Sequence, residues 1–354
     1  AMKRRYFLWT MPSMAALALA GCGGGDDAAV GAPLLERREV LDLSAAQRQA
    51  FVETLHAMKT VPSAYEPTTN AYDYFVGVHT EAMDPALPDT MYNAHMCAAF
   101  LPWHREFLRR FEREMQRVSG DPQMTLPYWD WYQAGSHKAI FTDDFLGGNG
   151  DPDDHWLVKT GAFREGLWSM GARFDDTDNE WQDTDGDGRP DVPEGPPMTN
   201  RGLTRCFSYR GQVLPDLSLI DQVVKGCPLE ELLSIAFYDV RPYMSHERTN
   251  EQWQQARRIS FRTCLEERLH NPVHAIIGKQ MGSASSPNDP VFFLHHANVD
   301  RLWDLWQRRN GNRGYPSRLD DPLSGAQSGL DLFNGPMLAM DTFSLGQHSG
   351  VDYA

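Results

Sequence analysis

Twelve histidines stand in this chain of 354 residues, and six of them fall into two groups of three: His79, His95 and His104, then His270, His274 and His296. His270 and His274 are four apart, so on a helix they are separated by about 40° and can grip one ion from one face. Pro272 between them is compatible only with a first helical turn, where its missing N–H would have no partner. His95 and His104 are nine apart and would point to opposite faces of an unbroken helix. Pro102 resolves this, because it places His104 in the first turn of its helix and leaves His95 on a preceding loop or helix end. Asp300, four residues after His296, stands where a carboxylate could orient a neighbouring imidazole or arginine. The sequence has no HExxH zinc motif, and the two groups lack the thiolates and bridging carboxylates of other common metal sites. Imidazole-only sets of three suit copper, which cycles between Cu(I) and Cu(II) and leaves a position open for dioxygen.

Helices must position these residues. Ser44 can cap a helix through about Lys59, with Phe51, Val52, Leu55 and Met58 at helical spacing. A second helix begins near Pro102 and runs through Phe107, Leu108, Phe111 and Met115, with charges expected on its other face and an end at Gly120-Asp121-Pro122. From about 143 to 228 the periodicity fades into turns, acids and glycines, which predicts a long excursion hung on the helical core. Helical signals resume at Leu229, and Asp289-Pro290 opens a helix through Trp303 and Trp306. The expected fold is mainly α: a helical-bundle core holding a binuclear site, with long irregular loop insertions, spanning 43–354.

With 41% hydrophobic residues the chain can bury a large core, and a formal charge of -15 disfavours nucleic acid or an anionic membrane surface as partner. Residues 1–21 read as an export signal: Lys3, Arg4 and Arg5 precede a short apolar run. Leu19-Ala20-Gly21-Cys22 resembles a lipoprotein box, so Cys22 is expected to carry a lipid anchor, with 22–42 as tether and a periplasmic or cell-surface location. Export would allow disulfides among Cys97, Cys206, Cys227 and Cys264, and Cys206 with Cys227 is the favoured pair because it closes a loop within one irregular stretch.

The stretch His95-Met96-Cys97-Ala98-Ala99-Phe100-Leu101-Pro102-Trp103-His104-Arg105-Glu106-Phe107 resembles the copper A signature of tyrosinases. Ser286-Pro287-Asn288-Asp289-Pro290-Val291-Phe292-Phe293-Leu294-His295-His296-Ala297-Asn298-Val299-Asp300-Arg301-Leu302-Trp303 resembles their copper B signature. The resemblance extends from about 76 to 308. It implies that His79, His95 and His104 hold one copper and His270, His274 and His296 the other, with His295 a neighbour of the site. His56, His137, His155, His246 and His348 match no motif position. The implied activity is copper-dependent oxidation of phenols by dioxygen, ortho-hydroxylating monophenols and converting o-diphenols to o-quinones.

By the same resemblance Glu266 and Asn271 hold a water that helps a phenol lose its proton; an ordinary ion pair from Glu266 or Glu267 to an arginine is the alternative for the acid. Catechol oxidase or o-aminophenol oxidase activity without monophenol hydroxylation is the competing enzyme function, and a haemocyanin-like oxygen carrier the competing class. A copper chaperone is not visible in the chain. Separately, Asp183, Asp185, Asp187, Arg189, Asp191 and Glu194 fall at the ligand spacing of an EF-hand loop with Gly188 at its sixth position, which raises calcium as a second metal, against a solvated acidic turn.

Overall fold

The computed structural model describes residues 34–83, 94–171, 201–243, 247–311 and 344–354. Among them, helix α1 (Ala45–Met58) starts where the sequence predicts: the Ser44 hydroxyl accepts the Gln47 N–H and the Gln47 side chain returns to Ser44, a reciprocal cap. Helix α2 (Asp73–Ala82) follows, then α3 (Phe100–Ser119), which carries Pro102 in its first turn and stops at Gly120, whose φ of 70° suits a residue without Cβ. Helix α4 (Ser136–Ile140) is a single turn. Later come α5 (Leu219–Gly226), α6 (Leu229–Leu233), α7 (Asn250–Ile259) and α8 (Phe261–Leu265). A wide π-helical turn, Glu266–His270, leads into α9 (Asn271–Ile277), and α10 (Val291–Arg309) follows Pro290 as expected. The core forms where α3 packs on α1 and α10. Phe111 stacks on Phe293 with ring centroids 3.5 Å apart, Tyr72 and Phe75 meet Phe111 edge to face, and Phe107 lies parallel to Phe293.

Three expectations are corrected. The charges of α3 do not all face water: Arg105, Glu106, Glu112 and Glu114 are buried. Each has a partner, because an unpaired buried charge would be prohibitive. Arg37 grips both oxygens of Glu112 at 2.9 and 3.1 Å and reaches Asp300 at 3.0 Å, while Arg105 takes the other Asp300 oxygen. Glu106 meets Arg109, Arg110 and His348. Second, the tether does not run to residue 42. Leu35–Arg37 forms a strand, β1, paired in parallel with the terminal strand Val351–Tyr353, and residues 40–42 make a 3-10 turn. Third, Cys227 is not set against Cys206: its sulfur lies 3.4 Å from that of Cys264.

The described parts of the 143–228 excursion are packed rather than loose, and they contain helix α5, which the fading periodicity does not reveal. Trp168 Nε1 donates to the Asn288 carbonyl at 2.8 Å, and Arg205 forms a bidentate pair with Asp289 at 2.7 and 2.8 Å, both side chains fully buried. Gly278, which ends α9, has φ of 68°, and a Cβ there would come 2.4 Å from the Cys206 carbonyl oxygen. The excursion therefore presses on the two segments that carry the second histidine group. Replacing Arg205 by Leu strands the Asp289 carboxylate in the core and is expected to cost about 3–5 kcal/mol, read as a lowered urea midpoint. The double variant Arg205→Leu/Asp289→Leu should recover part of that loss.

Candidate metal centre

Six elements converge on the histidines. His79 sits in the last turn of α2, His95 on the loop before α3, and His104 is the fifth residue of α3, just past the first turn that holds Pro102. His270 closes the π turn, His274 follows on α9, and His295 and His296 lie on α10. Pro272 does not open a free helix: α8, the π turn and α9 run without a break from Phe261 to Ile277, and the proline stands directly after the π turn. A π turn inside a helix often marks a functional site. Nothing in the residue spacing announces it.

The candidate ligand nitrogens of His79, His95 and His104 lie within 4.8 Å of one another, and so do those of His270, His274, His295 and His296. The two sets touch: the His104 and His296 rings stack with centroids 4.3 Å apart. His79, His104, His270, His295 and His296 are buried, while His95 and His274 are half-buried. Burial holds His79 down at about 3 and His274 at about 4; His95, His104, His270, His295 and His296 lie well below their ordinary value, through burial first and neighbouring imidazoles second. The rings are therefore neutral at neutral pH, the form that binds a metal.

The orientation of the rings tests whether a metal fits. His79 donates Nδ1–H to the Ala284 carbonyl at 2.6 Å, His104 to Phe100 at 2.8 Å, and His274 to Met281 at 2.6 Å; His270 Nδ1 pairs with Asn271 Oδ1 at 2.8 Å. These partners assign the tautomer and leave each Nε2 as a lone pair directed inward. The Nε2 atoms of His79 and His104 have no hydrogen-bond partner among the described residues. His296 Nε2 faces His270 Nε2 at 3.2 Å and His274 Nε2 at 3.3 Å. Two donors bound at 2.0–2.1 Å to one tetrahedral ion stand about 3.3 Å apart. A shared cation satisfies lone pairs that would otherwise repel, and an all-imidazole donor set favours copper.

His295 is drawn closer to the site than its sequence position implies. Its ring packs on Trp131 at 4.7 Å and against His274 at 4.6 Å, neither nitrogen has a hydrogen-bond partner among the described residues, and its plane is perpendicular to that of His296. Asp300 turns to the arginines rather than to an imidazole.

Glu266 is fully buried and spans the two halves of the centre. One carboxylate oxygen accepts the Met96 N–H, next to His95, and the other pairs with Arg262. Burial outweighs Arg262 and pushes the carboxyl up to about 7. The ion pair expected as the alternative is thus present. Asn271 lies against His270 and Glu267 rather than bonding to Glu266. His56 bonds the Ala162 carbonyl and His348 meets Glu106, both outside the two groups, as is His137. His246 and the acidic loop from Asp183 to Glu194 lie outside the described residues.

Comparison with known proteins agrees with this geometry. The family described as the common central domain of tyrosinase matches residues 69–309. A tyrosinase of Streptomyces lincolnensis is 32% identical over 293 residues, covering 81% of this chain and 89% of that protein. Grixazone synthase of Streptomyces griseus is also 32% identical, over 77% of this chain and 84% of its own length. In fold the chain is similar to a polyphenol oxidase variant from Thermothelomyces thermophila (TM-score 0.57, 22% identity, 90% of this chain and 88% of that one). It is also similar to a tyrosinase from Burkholderia thailandensis (TM-score 0.54, 16% identity, 91% and 74%). With the family match spanning most of the chain and both histidine trios in place, this protein belongs to the tyrosinase family, enzymes that oxidise phenols with a pair of copper ions.

Proposed function

We propose that this enzyme both ortho-hydroxylates monophenols and oxidises o-diphenols to o-quinones. In this reading His79, His95 and His104 hold one copper and His270, His274 and His296 the other. The observation that carries the proposal is the placement of Glu266, a buried carboxyl raised to about 7, between the loop of His95 and the helix of His270. When bound, the copper pair supplies the electron transfer to and from dioxygen. The protein's part is to orient the ring and manage the proton. An ordinary phenol has a pKa near ~10 and must lose its proton to reach a metal, so a base helps. Near neutrality Glu266 is divided between acid and carboxylate, so its carboxylate fraction grows as pH rises through about 7 and it can take a proton, directly or through a water shared with Asn271.

Glu266→Gln and Asn271→Ala are expected to lower monophenol hydroxylation about tenfold or more while diphenol oxidation falls less, at unchanged copper content. In Glu266→Gln the rise of monophenol turnover between about pH 6 and 8 should flatten. Equal losses on both substrates would assign the two residues to site integrity instead. The assay needs a trace of diphenol so that slow reduction of resting copper is not mistaken for failed deprotonation. An oxidase restricted to o-diphenols or o-aminophenols is the second reading. It is kept because a relative of equal identity bears the name grixazone synthase rather than tyrosinase.

The basic start of the chain and the Leu19-to-Cys22 box support an exported lipoprotein at the periplasmic face or cell surface. Labelled fatty acid should enter the protein and be lost in Cys22→Ser; equal labelling of both would refute the anchor.

A further inference from the structure

Cys227 and Cys264 are both fully buried, with sulfurs 3.4 Å apart, and the metal centre uses neither. Cys227 ends α5 just before Pro228 opens α6. Cys264 lies on α8, two residues before Glu266 and six before His270. Two side chains hold the flanking backbone in register. Tyr132 donates its hydroxyl to the Cys227 carbonyl at 2.8 Å, while Arg268 bonds the Gly226 carbonyl and places another nitrogen 3.7 Å from the Cys264 sulfur. The pairing expected from chain proximity is not supported, since Cys206 has Ser208 and Lys279 as its neighbours.

We propose that Cys227 and Cys264 form a redox pair that closes to a disulfide, bracing the α5–α6 junction against the helix that carries Glu266 and His270. The oxidant is a small-molecule or protein disulfide. Cys264 gives its proton to water, its thiolate attacks one of the oxidant's sulfurs to form a mixed disulfide, and the displaced thiolate takes up a proton to leave as one thiol. Cys227 gives its proton to water, and its sulfur then attacks the Cys264 sulfur and displaces the second thiol. The two cysteines lose two protons and two electrons, and the oxidant becomes two thiols.

The surroundings favour that order of attack. The hydrogen bond from Cys227, and then the charge of Arg268, hold Cys264 below its ordinary thiol value, whereas the same contact and burial push Cys227 up. Both sulfurs are closed off in the finished fold, so exchange belongs to folding or to local opening of this edge. Once formed, the bond removes freedom from the unfolded chain between α5 and α8 and ties down the helix from which copper B is reached.

The test equilibrates the full-length copper-loaded protein across mixtures of oxidised and reduced glutathione, followed by acid quench, alkylation and peptide mass spectrometry. The expected product is a peptide pair joined through Cys227 and Cys264, with Cys97 and Cys206 alkylated. Oxidised wild type should melt roughly 5 °C or more above Cys264→Ala and Cys227→Ala, which should match each other, and should release copper to a chelator several-fold more slowly. Cys206→Ala should leave the melting temperature unchanged. Comparing fully oxidised with fully reduced wild type gives the same readout even where a substitution prevents folding. Four alkylated thiols at every glutathione ratio, a Cys206–Cys227 peptide, or identical melting of the oxidised and reduced protein would each overturn the proposal.

Discussion

His296→Ala should lose one copper per chain and lower phenol oxidation by roughly a thousandfold or more, while the protein still folds. The size of the effect follows from what converges on this one ring. Its Nε2 lies 3.2 and 3.3 Å from the corresponding atoms of His270 and His274, and its face stacks on His104 of the other trio. On the proposed assignment, removing it takes away a ligand and the contact that joins the two histidine groups. His295→Ala provides the internal control. If His295 positions its neighbours without binding metal, its loss should cost about 10–100-fold in activity or copper affinity, as for outer partners of metal ligands in general. Metal analysis alongside oxygen uptake separates the two outcomes, and equal copper loss in both variants would make His295 a ligand.

Copper loading should raise the melting temperature of the metal-free protein by roughly 5–10 °C or more. A ligand bound only by the folded state stabilises it by about 4 kcal/mol per site when present at a thousand times its dissociation constant. Here the effect should be enhanced by the way the histidines face one another. Buried, neutral imidazoles point lone pairs at one another, and several of their nitrogens have no other partner among the described residues. His296→Ala should keep only part of the shift. The same melting series with calcium addresses the loop from Asp183 to Glu194: a further rise at millimolar calcium supports that second metal, and an unchanged curve supports a solvated acidic turn.

The local signals were legible in the sequence wherever a residue acts within one turn of itself. Ser44 with Gln47, Pro102 in the first turn of α3 and Gly120 at its end each work through a neighbouring backbone group. The histidine trios were legible for a different reason: metal chemistry dictates residue type, and the resemblance carried the spacing. What stayed hidden depends on partners far along the chain. The burial of Glu112 and Arg105 rests on Arg37 and Asp300, and the latter two are 263 residues apart. Charge alone gives no hint of such pairing, so the buried acids of α3 resemble an ordinary solvated face. Cys264 and Cys227 meet because α8 passes the end of α5, which no spacing rule encodes. The π turn is hidden as well, because Glu266 to His270 reads as plain α-helix by composition.

The most direct test of the account is the metal content of the protein purified without added metal and then loaded with copper, measured together with oxygen consumption on an o-diphenol. Two copper ions per chain are expected, with oxygen uptake rising with copper occupancy and vanishing when a chelator removes the metal. A single copper at saturation, or full oxidation by the metal-free protein, would contradict it.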